Sequence, residues 1–162
     1  MNFIYISPQF PRTYWNFCDR LKRNGIRVLG IGDTAYEQLS NETRSALDEY
    51  YYVSDMESYD EMLRAVAYFT FKYGKIDWLE SNNEYWMDQD ARLRQDFHIT
   101  SGYLGEEARN IQHKSKMKAY YEKAGIKTAR WHLVSTLKDG KAFVKKVGYP
   151  LIVKPDIGVG AS

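Results

Sequence analysis

A single cysteine, Cys18, stands in the whole sequence of 162 residues. That excludes an intrachain disulfide framework and fits a reducing compartment. Long apolar runs are missing as well. None approaches the roughly 20 residues that a membrane helix needs, so no membrane partner is expected. The opening stretch MNFIYIS has no basic leader and too short an apolar core for a signal peptide, and it reads as a strand. Together these absences point to a cytoplasmic protein. Charge of one sign is also scarce: the net charge of +2 is too small to imply nucleic acid by itself. The histidines His98, His113 and His132 lie singly, with no spacing that suggests zinc. No internal repeat and no low-complexity linker interrupts the chain.

What is present supports a packed core, with 44% apolar and 15% aromatic residues. The fourteen tyrosines suit half-buried rings on strands and helix faces. Charge is segregated: residues 37–61 are mostly acidic, whereas residues 109–130 carry Arg109, Lys114, Lys116, Lys118, Lys123, Lys127 and Arg130.

Short β-rich runs alternate with amphipathic helices. Strands are expected at Phe3–Ile6, Ile26–Ile31, Tyr50–Val53 (short, at an edge), Ile76–Leu79 and Phe97–Thr100. Helices are expected from Thr13 to about Arg23, from Ser58 or Asp60 to Tyr73, and from Tyr85 to about Gln95. Asn24-Gly25 and Gly74 supply left-handed helix stops. Five such alternations with short connections imply a parallel sheet covered on both faces. The fold class is therefore α/β, Rossmann-like. Ligands of such sheets bind beyond the carboxyl ends of the strands, here the loops Ser7–Pro11, Gly32-Asp33 and Glu80–Glu84.

After about residue 105 the character changes. One charged helix is expected over roughly 106–124, a strand over Ala129–Val134, a helix over Leu137–Val147 and a strand over Leu151–Lys154. This reads as the start of a second, incomplete α+β lobe. Two domains follow, 1–105 and 106–162.

Two nucleotide-binding patterns are excluded. The first strand-to-helix turn, SPQFPRTYW, has no glycine, so it fails the dinucleotide fingerprint. The loop Gly158-Val159-Gly160-Ala161-Ser162 has its lysine, Lys154, ahead of it on the strand, so it fails as a Walker A loop. A strand lysine with a glycine flap folding over phosphates is a different geometry, and a cradle of backbone N–H groups still fits it.

The run Gly148-Tyr149-Pro150-Leu151-Ile152-Val153-Lys154-Pro155 followed by Gly158–Ser162 resembles the small lobe of ATP-grasp enzymes, of which biotin carboxylase and the carbamoyl-phosphate synthetase large subunit are members. The segment His113-Lys114-Ser115-Lys116-Met117, with Ala124-Gly125-Ile126-Lys127-Thr128-Ala129-Arg130, is similar to the family's "D-K-x-x-x… G-I-P-T-P" pattern, with His113 in place of the usual aspartate. The resemblance implies that residues 1–105 are the family's preceding Rossmann-like domain and that 106–162 begin its small lobe. It implies an ATP-dependent carboxylate–amine ligase, with ATP and Mg²⁺ as cofactors and a small carboxylate and an amine as substrates. Lys154 then matches the strand lysine that reaches the nucleotide, and Lys114 the basic residue at a helix start. Gly158, Gly160, Ala161 and Ser162 match the phosphate-holding flap, and Glu84 resembles a glutamate near the substrate. Helix capping by Asn82 or Asn83, with Glu84 in the first turn, accounts for that loop equally well. The magnesium ligands are expected downstream of Ser162, and no catalytic or metal residue is assigned here.

A chain ending inside an unpaired glycine loop reads as truncated, and these 162 residues alone are expected to be inactive. Two other readings stand beside this one. The first is a non-catalytic α/β ligand-binding module. The second, ranked last, is nucleic-acid binding through the basic 109–130 helix with Tyr120, Tyr121 and Trp131. A homodimer is one of the assemblies left open.

Overall fold

The computed structural model describes residues 1–158 and divides the chain into two compact units, Met1–Gly105 and a second beginning at Glu106. The first is a four-stranded, wholly parallel sheet of order β3-β2-β1-β4, built from β1 (Asn2–Ile6), β2 (Arg27–Gly32), β3 (Glu49–Tyr52) and β4 (Trp78–Glu80). In register, Ile4 faces Leu29 on one side and Leu79 on the other. Parallel neighbours need crossovers, and these contain α1 (Trp15–Arg23), α2 (Asn41–Ala46) and α3 (Tyr59–Tyr73); α4 (Met87–Asp96) follows β4.

Alternation along each strand divides the core into two layers. Ile4, Ile6, Leu29, Ile31 and Leu79 pack with Met62, Ala65, Val66 and Phe69 of α3 and Leu93 of α4. Phe3, Tyr5 and Val28 point the other way, onto Cys18 of α1 and Ala46 and Leu47 at the end of α2. Each of the larger aliphatic and aromatic side chains among them, fully buried, contributes about 1.5–3 kcal/mol, so both faces of the sheet are committed to helices. Beside α1 the cover is incomplete. An open cleft of about 420 Å³ remains over β1 and β4, lined by Phe3, Tyr5, Phe17, Leu21 and Trp78.

In this unit the structure adds one helix to the elements expected and removes one strand. The segment 33–48 holds a helix, α2, which Ser40 caps by accepting the N–H of Thr43. Conversely, Phe97–Thr100 is not a fifth strand. His98 has φ of +55°, a left-handed conformation that ends α4, and the N–H groups of His98 and Ile99 are already donated to the carbonyls of Gln95 and Arg94. A segment whose donors cap a helix has none left for a ladder. The flank of β4 is met by side chains instead. Arg94 donates from Nε to the carbonyl of Leu79 (2.7 Å), and Ser101 donates from Oγ to that of Asp77.

The second unit contains α5 (Gly105–Gln112), α6 (Lys114–Lys123) and α7 (Leu137–Val147). The single helix expected over 106–124 is two, because His113 is extended (φ −82°, ψ 114°) and separates them. Neither Ala129–Val134 nor Leu151–Lys154 forms a ladder among the described residues. Both are apolar enough for strands, but a strand requires a partner backbone, and Ile152 and Val153 are 89% and 93% exposed. No helix among the described residues is long and apolar enough to cross a membrane.

Candidate functional site

In the first unit, two adjacent strands end on residues in strained backbone. Ser7 after β1 and Asn82 after β4 have φ of +56° and +58°, a conformation that non-glycine residues adopt infrequently. β1 and β4 flank the point where the strand order reverses, which is where open α/β sheets place ligands. Two of the three loops predicted there are tied to each other, and the third is tied to the residue just before α1. Gln9 donates to Asp33 (2.9 Å), and the Tyr14 hydroxyl donates to the carbonyl of Asn82 (2.8 Å). Glu84 opens a short 3₁₀ turn, Glu84–Trp86, capped by the Asn83 side chain, which accepts the N–H of Tyr85 (3.0 Å). Glu84 is thus placed as the capping alternative describes, in the same loop as the strained Asn82.

Beneath that loop lies a buried ionic cluster that sequence reasoning did not single out. Arg94, 2% exposed, pairs with Glu80 at 2.5 Å. Asp90 is fully buried and accepts from the N–H (2.9 Å) and hydroxyl (2.5 Å) of Ser81. Burial pushes the Asp90 carboxyl up to about 7, with Glu80 adding to the rise while Ser81 and Arg94 oppose it. The spacing Asp90-x-x-x-Arg94 puts both groups on one face of α4; that spacing was the available signal. The cluster holds the exit of β4 in place.

The second unit contains the residues expected to meet a nucleotide. The break at His113 makes Lys114 the first residue of α6. A helix start leaves four N–H groups without intrahelical partners, and the His113 side chain makes no cap hydrogen bond to them. The acceptor comes from 41 positions away: Asp156 takes the N–H of Ser115 on Oδ1 at 2.7 Å. Its backbone carbonyl takes the N–H of Lys114 at 3.0 Å. Oδ2 also accepts from the Ser115 hydroxyl (3.0 Å) and from His113 Nδ1 (2.9 Å). Partial burial raises the Asp156 carboxyl, but His113 and Ser115 outweigh it and hold the group below the usual carboxylate range.

This clasp brings two of the predicted residues together. Lys114 Nζ donates to the carbonyl of Gly158 at 3.2 Å and reaches that of Asp156 at 3.5 Å. Gly158 has φ of +151°, and a Cβ there would stand 3.2 Å from Pro155 Cγ, so the position is suited to glycine. Lys154 is exposed, on an irregular segment four residues earlier. Gly160, Ala161 and Ser162 lie outside the described residues. Asp156 itself was missed. No local signal pointed to it, since the sequence pattern runs one helix through His113 and the contact spans 41 positions. Among the described residues no group of three or more His, Cys, Asp or Glu side chains could hold a metal.

The chain matches no family model. It is 31% identical over 80 residues to alanine–anticapsin ligase of Bacillus subtilis, a match covering 49% of this chain and 17% of the relative. The same enzyme of Bacillus amyloliquefaciens matches over the same shares, also at 31%. The chain thus spans about a sixth of the curated relatives it matches. Among solved structures, L-amino acid ligase from Bacillus licheniformis aligns with a TM-score of 0.70 at 19% identity, covering 97% of this chain and 37% of that one. A biotin carboxylase domain of 2-oxoglutarate carboxylase from Hydrogenobacter thermophilus, solved as a dimer with MgADP, ADP and bicarbonate, aligns at 0.73 with 18% identity, covering 98% and 35%. The α/β fold is shared with these proteins. The resemblance drawn from the two sequence segments holds at that level, since biotin carboxylase is one of the members it named.

Proposed function

We propose that this chain is the N-terminal part of an ATP-grasp ligase whose whole protein joins a carboxylate to an amine. The observation that carries the reading is the meeting of Lys114 with the Gly158 loop, because it unites the two sequence segments on which the resemblance rests. The residues suit a triphosphate. Lys114 supplies an ammonium beside a loop whose backbone at Gly158 favours glycine, and the exposed Lys154 supplies a second cation. Bound MgATP would supply the phosphoryl group that activates the carboxylate as an acylphosphate for attack by the amine. This chain's contribution is electrostatic: fixed positive charge near the phosphates, which needs no reorganisation as charge develops. Magnesium ligands belong, in this reading, to the rest of the protein. Glu84, in the first unit, is the candidate for contact with the substrate.

The test is MgADP binding by the full-length protein, measured by calorimetric titration for the wild type and for Lys154→Met. A hydrogen bond to a charged group is worth about 1.5–3 kcal/mol, so Lys154→Met should weaken binding by roughly tenfold or more. Carboxylate- and amine-dependent release of ADP from ATP should fall in parallel. A wild type with no affinity for adenine nucleotides, or a variant that keeps it unchanged, ends the reading.

A further inference from the structure

We propose that Asp156 is a positioning residue for the nucleotide site, acting through Lys114; the inference rests on the ligase reading above. Asp156 could be regarded as a helix cap alone, but its bonds do more than a cap requires. Its backbone carbonyl and its carboxylate together take the N–H groups of Lys114 and Ser115, the first two residues of α6. The same residue therefore fixes both where the helix begins and how it is turned relative to the loop carrying Gly158. With that start fixed, the Lys114 side chain returns onto the carbonyls of Asp156 and Gly158.

Two consequences favour a role in binding. The first two N–H groups of α6 are taken by Asp156 and so are not offered to an anion, and the Lys114 ammonium supplies positive charge at this point. Moreover, a carboxylate two residues from a phosphate loop would repel its ligand unless its charge were directed elsewhere. Here Oδ1 receives the Ser115 N–H, and Oδ2 receives the Ser115 hydroxyl and His113 Nδ1. The carboxylate's hydrogen-bonding capacity is directed toward the helix, while the ammonium lies against the loop. His113, where the family pattern has aspartate, is the partner that makes this arrangement work.

The experiment is a double-mutant cycle on the full-length protein, with MgADP affinity as the readout for the wild type, Lys114→Ala, Asp156→Ala and the double variant. Asp156→Ala should weaken MgADP binding roughly tenfold. The double variant should bind within about twofold of Lys114→Ala, because a residue acting through Lys114 has nothing left to position. Asp156→Asn, which keeps an acceptor for the Ser115 N–H, should recover part of the loss. It also serves as the variant of record if Asp156→Ala does not fold. Losses that multiply in the double variant, or full affinity in Asp156→Asn and Asp156→Ala alike, would overturn the proposal while leaving the ligase reading intact. A wild type that binds no MgADP overturns both.

Discussion

Arg94 donates from Nε to the carbonyl of Leu79 at 2.7 Å, tying α4 to the last strand of the sheet. The same guanidinium reaches Glu80 (2.5 Å) and the carbonyl of Tyr103 (2.9 Å), so one side chain serves three acceptors from two segments of chain. It is 2% exposed. Removing it leaves a carboxylate and two carbonyls without that donor. Breaking a buried pair from one side costs about 3–5 kcal/mol, and because Glu80 is one-third exposed the loss should fall at the lower end. Arg94→Met is therefore expected to lower unfolding free energy by about 3 kcal/mol in urea denaturation. Arg94→Lys should not restore it, since an ammonium lacks the planar fork. An Arg94→Lys variant as stable as the wild type would refute the assignment.

Asp90 makes a pH-dependent counterpart. Its carboxyl is pushed up to about 7 in the folded protein, against about 3.9 in an unfolded chain. Between those values the folded state retains the proton that the unfolded state has released. The stability owed to this group therefore falls as pH rises from about 4 to about 7, and levels off above. Asp90→Asn keeps an acceptor for Ser81 and cannot titrate. Its stability relative to the wild type should increase between pH 5 and pH 8, read from urea midpoints at each pH. An identical difference at both would contradict the titration.

Gly30 marks a close approach of strand to helix layer. A Cβ there would stand 2.7 Å from Leu47 Cδ1 and 3.1 Å from Tyr50 Cδ2. Overpacking of this kind costs about 1–3 kcal/mol. Gly30→Ala should lower the thermal midpoint, and adding Leu47→Ala should then cost less than Leu47→Ala alone costs in the wild type. Additive losses would show that the crowding is relieved elsewhere.

How far the sequence could be read depends on what each element needs. β1, β2 and β4 were legible because they carry buried apolar residues such as Ile4, Leu29 and Leu79, β3 because its tyrosines favour strands, and α3 because Met62, Ala65, Val66 and Phe69 recur at helical spacing. α2 was passed over since its six residues, NETRSA, carry little apolar periodicity, although Ser40 offered a capping signal. The Phe97–Thr100 stretch has strand composition, but its donors are claimed by the end of α4. Composition cannot reveal such competition. In the candidate site the structure brings together Lys114 and Gly158, which were singled out through the resemblance of their two segments to a known family pattern. Asp156 was not, because its importance comes from a contact spanning 41 positions that no local pattern encodes.

The way α4 meets β4 also bears on solubility. An outermost strand ordinarily offers a template to any extended peptide. Here the carbonyl of Leu79 is held by a guanidinium, and the N–H of Ser81, just past the strand, by the Asp90 carboxylate. An intruding peptide would have to dislodge both side chains before it could zip onto the sheet. That flank is guarded against β-addition, and with it against the stacking by which exposed strands seed fibres.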